Sequence, residues 1–190
     1  MKIDLKGNTQ QGNLPSGYTA VDYIETDGNQ YIDTGYKHNT SKTSYEMGVV
    51  IKTLTNTFNT LFGARATHNG SEAYYLGVNS NLSTYGCIGG NKKDDLGWTV
   101  SIGTKYDLIY NATQGLIVGG TTYSIPSQSN VTFDKNDYLF ALNNNGTVSE
   151  KIKCKLYYFR IYEDNVLIRN FAPCKRDSDS EIGLYDLVSN

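Results

Sequence analysis

Three carboxylates stand two residues apart in Asp177-Ser178-Asp179-Ser180-Glu181. Alternate residues of a strand share a face, so this spacing could aim an acid and a nucleophile into one cleft about 5 Å apart, as retaining glycosidases require. The setting opposes that chemistry. The residues between are serines and Lys175-Arg176 precede them, which predicts solvated carboxylates near their ordinary pKa values rather than a pair pushed apart for acid and base roles. The segment reads as a surface turn before the last strand, and no catalytic residue is assigned. Alternating Asp and Ser oxygens could also ligate a hard cation such as Ca2+, but no bidentate Glu stands at the usual loop distance, so no cofactor is expected.

The remaining reactive residues are sparse. His38 and His68 are the only histidines, neither is spaced to pair with a nucleophile or to clamp a metal, and both are expected in surface loops. Cys87, Cys154 and Cys174 are an odd set without CxxC spacing, which predicts buried free thiols rather than a disulfide framework or a zinc site. GxGxxG, GxxxxGK[ST] and GxSxG are absent. Six N-x-[ST] triplets, beginning at Asn39, Asn69, Asn81, Asn111, Asn130 and Asn145, are read as turn composition in a chain rich in Asn, Ser and Thr.

Sugar binding asks for less: an exposed ring against the apolar face of a pyranose, and side chains around it to meet the hydroxyls. Asn91-Lys92-Lys93-Asp94-Asp95-Leu96-Gly97-Trp98 has these ingredients in one loop, with Trp98, Asp94, Asp95 and Asn91 as candidates. A lone Trp also serves as core or rim packing. Arg65, His68 and Asn69 beside Tyr74 and Tyr75 form a second polar-aromatic candidate.

The partners are bounded by charge. Lys and Arg number 17 against 19 Asp and Glu, so no basic field exists to hold a phosphate backbone and nucleic acid is not an expected partner. Met1-Lys2-Ile3-Asp4-Leu5-Lys6 breaks any apolar run, and no stretch approaches the roughly 18 apolar residues that would span a bilayer. Neither secretion signal nor membrane partner is expected, and synthesis is expected in a cytosol. The 16 Tyr against 6 Phe and 1 Trp suit half-buried sheet surfaces.

The elements that would position these residues are nearly all strands. Residues 1–17 form a polar arm carrying Gly7, Gly12, Pro15 and Gly17, and one domain follows over 18–190. Tyr45, Met47, Val49 and Ile51 alternate with Glu46, Gly48, Val50 and Lys52, which turns one apolar row toward a core. Further strands are predicted over 21–25, 30–34, 60–66, 73–78, 83–88, 105–111, 115–118, 121–125, 131–133 and 138–142. Gly119-Gly120 is a hairpin turn, and Asn143-Asn144-Asn145-Gly146 is another turn. In the run 151–162 the apolar row changes face midway. Either both faces are covered or a bulge near Tyr157 re-aims the side chains. Glu163-Asp164-Asn165 turns the chain into a further strand over 166–171 that pairs with its predecessor as a hairpin, and no segment keeps helical periodicity over three turns.

Tyr18 to Glu25 with Gln30-Tyr31-Ile32-Asp33-Thr34-Gly35, Leu61 to Arg65, Leu139 to Asn143, Phe159 to Tyr162, Phe171 to Cys174 and Ile182 to Leu187 form an ordered series. The series resembles the LamG-like, concanavalin A-like jelly-roll domains of phage and prophage structural proteins. That resemblance implies an all-β sandwich of two antiparallel sheets with very little helix. It also implies a non-catalytic fibre, tail or head-fibre module at the surface of a particle assembled in a bacterial cytoplasm. Its partners would be host-surface glycan and, through the arm, other virion proteins, in a homo-oligomer. A purely structural decoration subunit and a glycosidase on the same fold are the rival roles.

Overall fold

The computed structural model describes residues 2–3 and 14–189. The strands in chain order are β1 (Lys2–Ile3), β2 (Tyr18–Ala20), β3 (Ile24–Glu25), β4 (Ile32–Asp33), β5 (Thr43–Thr53), β6 (Phe58–Arg65), β7 (Tyr74–Asn79), β8 (Thr84–Ile88) and β9 (Asn91–Lys93). They continue as β10 (Lys105–Asn111), β11 (Gly115–Val118), β12 (Thr121–Ser124), β13 (Tyr138–Leu139), β14 (Leu142–Asn144), β15 (Thr147–Ser149), β16 (Lys153–Glu163), β17 (Val166–Arg176) and β18 (Ile182–Asp186). No helix occurs among the described residues.

These strands form two sheets. The first runs β1-β3-β16-β5-β10-β11-β12, with β17 beside β16 and carrying β18 and β2. The second runs β15-β14-β6-β7-β8-β9, with β13 and β4 attached. Pairing is antiparallel except for a two-residue parallel contact of β14 with β6. The expected all-β, jelly-roll sandwich is the observed architecture.

The core lies between the sheets because each strand turns its alternate apolar residues inward. Tyr45, Met47, Val49 and Ile51 of β5 are all buried, as are Leu108 of β10 and Leu156, Phe159 and Ile161 of β16. Opposite them the second sheet buries Leu61, Phe62, Tyr74, Leu76 and Val78. Aromatic rings bridge the layers: Tyr45 meets Phe62 at 4.6 Å between centroids, and Tyr74 meets Tyr110 edge-on at 5.5 Å.

β16 resolves the change of face through a bulge. Its register against β5 slips between Leu156 and Tyr158, so Tyr157 and Tyr158 both turn outward and Phe159 and Ile161 return to the core that holds Cys154 and Leu156. Gly48 on β5 makes room for this: a Cβ there would lie 2.6 Å from the Tyr158 ring. The two glycine-bearing turns also form as expected. Gly119 and Gly120 join β11 to β12 with φ of 56° and 83°, and Asn145-Gly146 joins β14 to β15 with φ of 53° and 92°.

Three expectations are corrected. The strand expected over 138–142 is broken at Phe140, whose φ of 66° lets its N–H reach Leu61 while its carbonyl accepts from Ile152. The segment 131–133 holds only a lone bridge from Thr132 to Asn39, because its backbone is spent on the 38–40 loop. His38, expected at the surface, is fully buried. Its Nε2 donates to the Glu72 carbonyl at 2.6 Å and its Nδ1 lies 2.7 Å from the Asp137 carboxylate.

Cys87, Cys154 and Cys174 are free and buried. Burial pushes the Cys87 thiol up to about 11 and raises the other two, so none is poised as a thiolate. The arm lies mostly outside the described residues, and its end, Lys2–Ile3, pairs antiparallel with Ile24 and Glu25 of β3.

Candidate functional site

The second sheet turns Tyr75, Tyr85 and Cys87 away from the main core, and with Ala73 and Leu142 they form a second, smaller apolar cluster on its outer face. Tyr85 can lie flat there because its neighbour across the ladder is Gly77, where a Cβ would sit 2.4 Å from the ring. A layer of polar side chains closes over this cluster.

Arg65, the last residue of β6, organises that layer. Its guanidinium lies over the Tyr75 ring at 5.3 Å and donates to Glu150 Oε1 at 2.9 Å, to Asn144 Oδ1 at 3.2 Å and to His68 Nδ1 at 2.9 Å. The other Glu150 oxygen accepts from the Tyr85 and Thr60 hydroxyls, each at 2.8 Å. Burial, and then the Glu150 charge, raise the Tyr85 phenol well above its ordinary value, so it stays a donor. Because guanidinium cannot accept, His68 Nδ1 must accept and Nε2 carries the proton outward. Burial and the cations Lys92 and Arg65 lower the His68 pKa, which keeps that tautomer neutral.

The sequence candidates separate accordingly. Arg65 and Tyr75 belong to this cluster, and Asp94 joins its rim through an ion pair with Lys92. Tyr74 points the other way, into the main core, where its hydroxyl donates to the Thr43 carbonyl. Trp98 is 7% exposed and packs edge-on against Tyr106 at 4.9 Å, the packing role open to a lone Trp rather than a stacking platform. Asp95 caps the Gly97 N–H, and Asn91 donates to the Pro126 carbonyl. Sequence reasoning missed Glu150, Tyr85, Thr60 and Phe58. The one local signal was Arg65 itself, since a buried cation must find a carboxylate.

With Trp98, Tyr74 and Tyr75 covered, the large aromatic side chains exposed among the described residues are Tyr31 and Phe58, at 43% and 41%. Tyr31 rests on Tyr138 at 4.7 Å. Phe58 stands at the start of β6 in an edge-to-face contact with Tyr85, 5.5 Å between centroids, and lines a cleft together with Glu150.

The 177–181 segment is an exposed turn as expected, with one correction. Arg176 grips Asp179 in a bidentate pair and also meets Glu181, and this guanidinium holds the Asp179 carboxyl below its ordinary value. Asp177 accepts from Thr19 at 2.6 Å. No group of three metal-ligating side chains occurs among the described residues.

No protein-family model matches the chain, and no curated protein matches it in sequence. Among solved structures the fold is similar to Trypanosoma rangeli sialidase in complex with 2,3-difluorosialic acid, a covalent intermediate. The TM-score is 0.52 at 13% identity, over 79% of this chain and 27% of that one. The same enzyme in complex with 2,3-difluoro-KDN gives a TM-score of 0.50 at 11% identity, over 87% of this chain and 30% of that one. A native heptameric SAP-like pentraxin from Limulus polyphemus gives 0.47 at 9% identity, over 74% and 73%. The chain thus spans under a third of the sialidase's length. At these identities the likeness shows the fold alone: a concanavalin-like jelly-roll sandwich.

Proposed function

We propose that this chain is a non-catalytic carbohydrate-recognising module displayed on a larger particle, a phage fibre, tail or head-fibre protein that meets host-surface glycan. The observation that carries the reading is the outer face of the second sheet. There Arg65, Glu150, Thr60 and Tyr85 lock one another in place beside an exposed aromatic ring, a preorganised polar-aromatic surface of the kind sugars need. Fold likeness to a sialidase bound to a sialic-acid derivative supports sugar handling at the level of fold only. The phage setting is supported by the ordered sequence resemblance.

Co-sedimentation with cell-wall polysaccharide of a bacterial host is the test. Saturable binding without release of reducing sugar is expected, and Asp179→Asn should leave binding unchanged because its carboxylate is spent on Arg176. Turnover of the polysaccharide, abolished by that substitution, would overturn the non-catalytic reading.

A second reading, a decoration or fibre subunit that binds only protein, is favoured by the outer face of the first sheet. There Tyr23, Tyr157 and Tyr158 lie beneath Lys155, Lys105 and Arg160 in cation–π contacts of 3.8, 4.4 and 4.8 Å. Tyr and Arg are enriched at protein interfaces. Absence of polysaccharide binding together with incorporation into particles would select it.

In either role the arm is proposed to attach the domain or to multimerise it, since a single shallow site gains avidity when several copies are displayed. Deleting residues 1–17 removes one two-residue strand from the described fold. The melting temperature is expected to stay nearly unchanged while particle or oligomer incorporation is lost. Normal assembly of the truncated chain would move the attachment surface to the sandwich.

A further inference from the structure

Beside Phe58 the loops of three sequence-distant segments, 28–29, 55–58 and 148–151, enclose an open cleft of about 560 Å³. Side chains brace its walls. Asn59, fully buried, accepts from the backbone N–H groups of Thr55 and Asn56 and donates to the carbonyls of Asn56 and Val78. Asn56 in turn donates to the Lys151 carbonyl at 3.1 Å, tying the second segment to the third. In the first segment Thr26 and Asp27 hold the backbone N–H groups of Gly28 and Asn29. Glu150 takes a φ of 51°, a conformation that costs a non-glycine residue on the order of 1 kcal/mol and clusters at ligand clamps. Its carbonyl is pinned to the Thr60 N–H.

We infer that this cleft binds an uncharged hexopyranose unit, stacked on the Phe58 ring, and is the glycan site of the module; the inference rests on the carbohydrate reading above. The chemistry of the lining selects the ligand. Phe58 offers an apolar face held in place by Tyr85, which suits the C–H face of a pyranose. The Glu150 carboxylate has about four acceptor positions, of which Arg65, Thr60 and Tyr85 occupy three, so one remains for a sugar hydroxyl. Its charge is already balanced by Arg65, so the cleft gains nothing from a cationic ligand. Lys151 also lines the cleft, but an ion pair with a solvated lysine is worth little, and an anionic ligand would still meet the Glu150 carboxylate. Ser149, which lines the cleft, has a buried hydroxyl with no protein partner, and a hydroxyl can serve a ligand as donor or acceptor. The Asn29 and Asn56 amides add neutral donors and acceptors that match sugar hydroxyls.

The test uses the full chain with methyl glucoside, methyl galactoside and methyl mannoside, followed by saturation-transfer NMR, and with host-wall polysaccharide in parallel. Wild type is expected to transfer saturation to the C–H protons of at least one hexoside. Phe58→Ala should weaken that binding about tenfold or more, and Phe58→Tyr should retain it, with Val166→Ala, an exposed site in the hairpin beside Thr43 at the opposite end of β5, as the unaffected control. If wild type binds polysaccharide and Phe58→Ala binds it equally well, the cleft is wrong while the carbohydrate function stands. If wild type binds an anionic sugar in preference to every neutral hexoside, the ligand class is wrong. If wild type binds neither hexoside nor polysaccharide, the function fails and the cleft assignment with it.

Discussion

Replacing Asp137 by Ala is expected to destabilise the domain by about 3–5 kcal/mol, as breaking a buried charged pair from one side does. Asp137 is fully buried, with one carboxylate oxygen facing His38 Nδ1 and the other accepting from the Tyr45 hydroxyl. His38 cannot turn away, because its Nε2–H is committed to the Glu72 carbonyl and its ring packs on Tyr74 and Phe133 at 5.3 and 5.8 Å. The mutation would therefore strand an imidazole and a phenol in the core. Urea unfolding would measure the loss; a change below about 1 kcal/mol would mean that the network is energetically idle.

The same pair makes stability depend on pH. Burial works to lower the His38 pKa, but the Asp137 charge and hydrogen bond outweigh it, and the net direction is up. A His raised on folding contributes stability that is fully present below its unfolded pKa of about 6.5 and is lost as pH rises through the folded value. Unfolding free energy is therefore expected to fall with rising pH above the ordinary histidine range in wild type. His38→Gln, which carries no titrating group, should flatten that slope.

Gly63→Ala is expected to be the most damaging single-methyl change, costing about 3–5 kcal/mol or preventing accumulation of folded protein. Gly63 lies in the middle of β6, paired with Tyr75 on one side and Tyr138 on the other, at a φ of 129°. A Cβ there would stand 2.2 Å from the Tyr74 carbonyl oxygen and 2.6 Å from the Tyr75 Cα, and backbone at the centre of a sheet cannot yield. Gly119→Ala is the control: its φ is also positive, but no atom lies within 4 Å of the added carbon, so a loss of about 1 kcal/mol is expected. Equal thermal shifts for the two variants would sink the argument from close packing.

Strand existence was legible because it is a local property. The alternation in β5, the span of β10, the Gly119-Gly120 turn and the change of apolar face in β16 are written in neighbouring residues, and each has its counterpart in the sheets. The bulge itself was one of two readings. Choosing it required β5, whose Gly48 leaves the space that Tyr158 fills. Phe140 misled the strand assignment for the same kind of reason, since its partners Leu61 and Ile152 come from elsewhere in the chain.

The candidate site was far less legible. Residue type alone set what each side chain can do: an Arg can only donate, a thiol can be silenced by burial, an aromatic ring can stack. Which rings face solvent is decided by what covers them. Trp98, Tyr74 and Tyr75 have the right chemistry for sugar and are buried, whereas Phe58, unremarked in its local sequence, is exposed. Glu150 reaches Arg65 across 85 positions and Asp137 reaches His38 across 99, separations at which no spacing rule connects two residues. Composition and periodicity thus determined that this chain is built of strands, with inert thiols and a solvated 177–181 turn, and the ordered resemblance implied the sandwich. Only the tertiary structure decided where charge is buried and which face is left open, because burial and pairing are properties of the packed sheets rather than of any one strand.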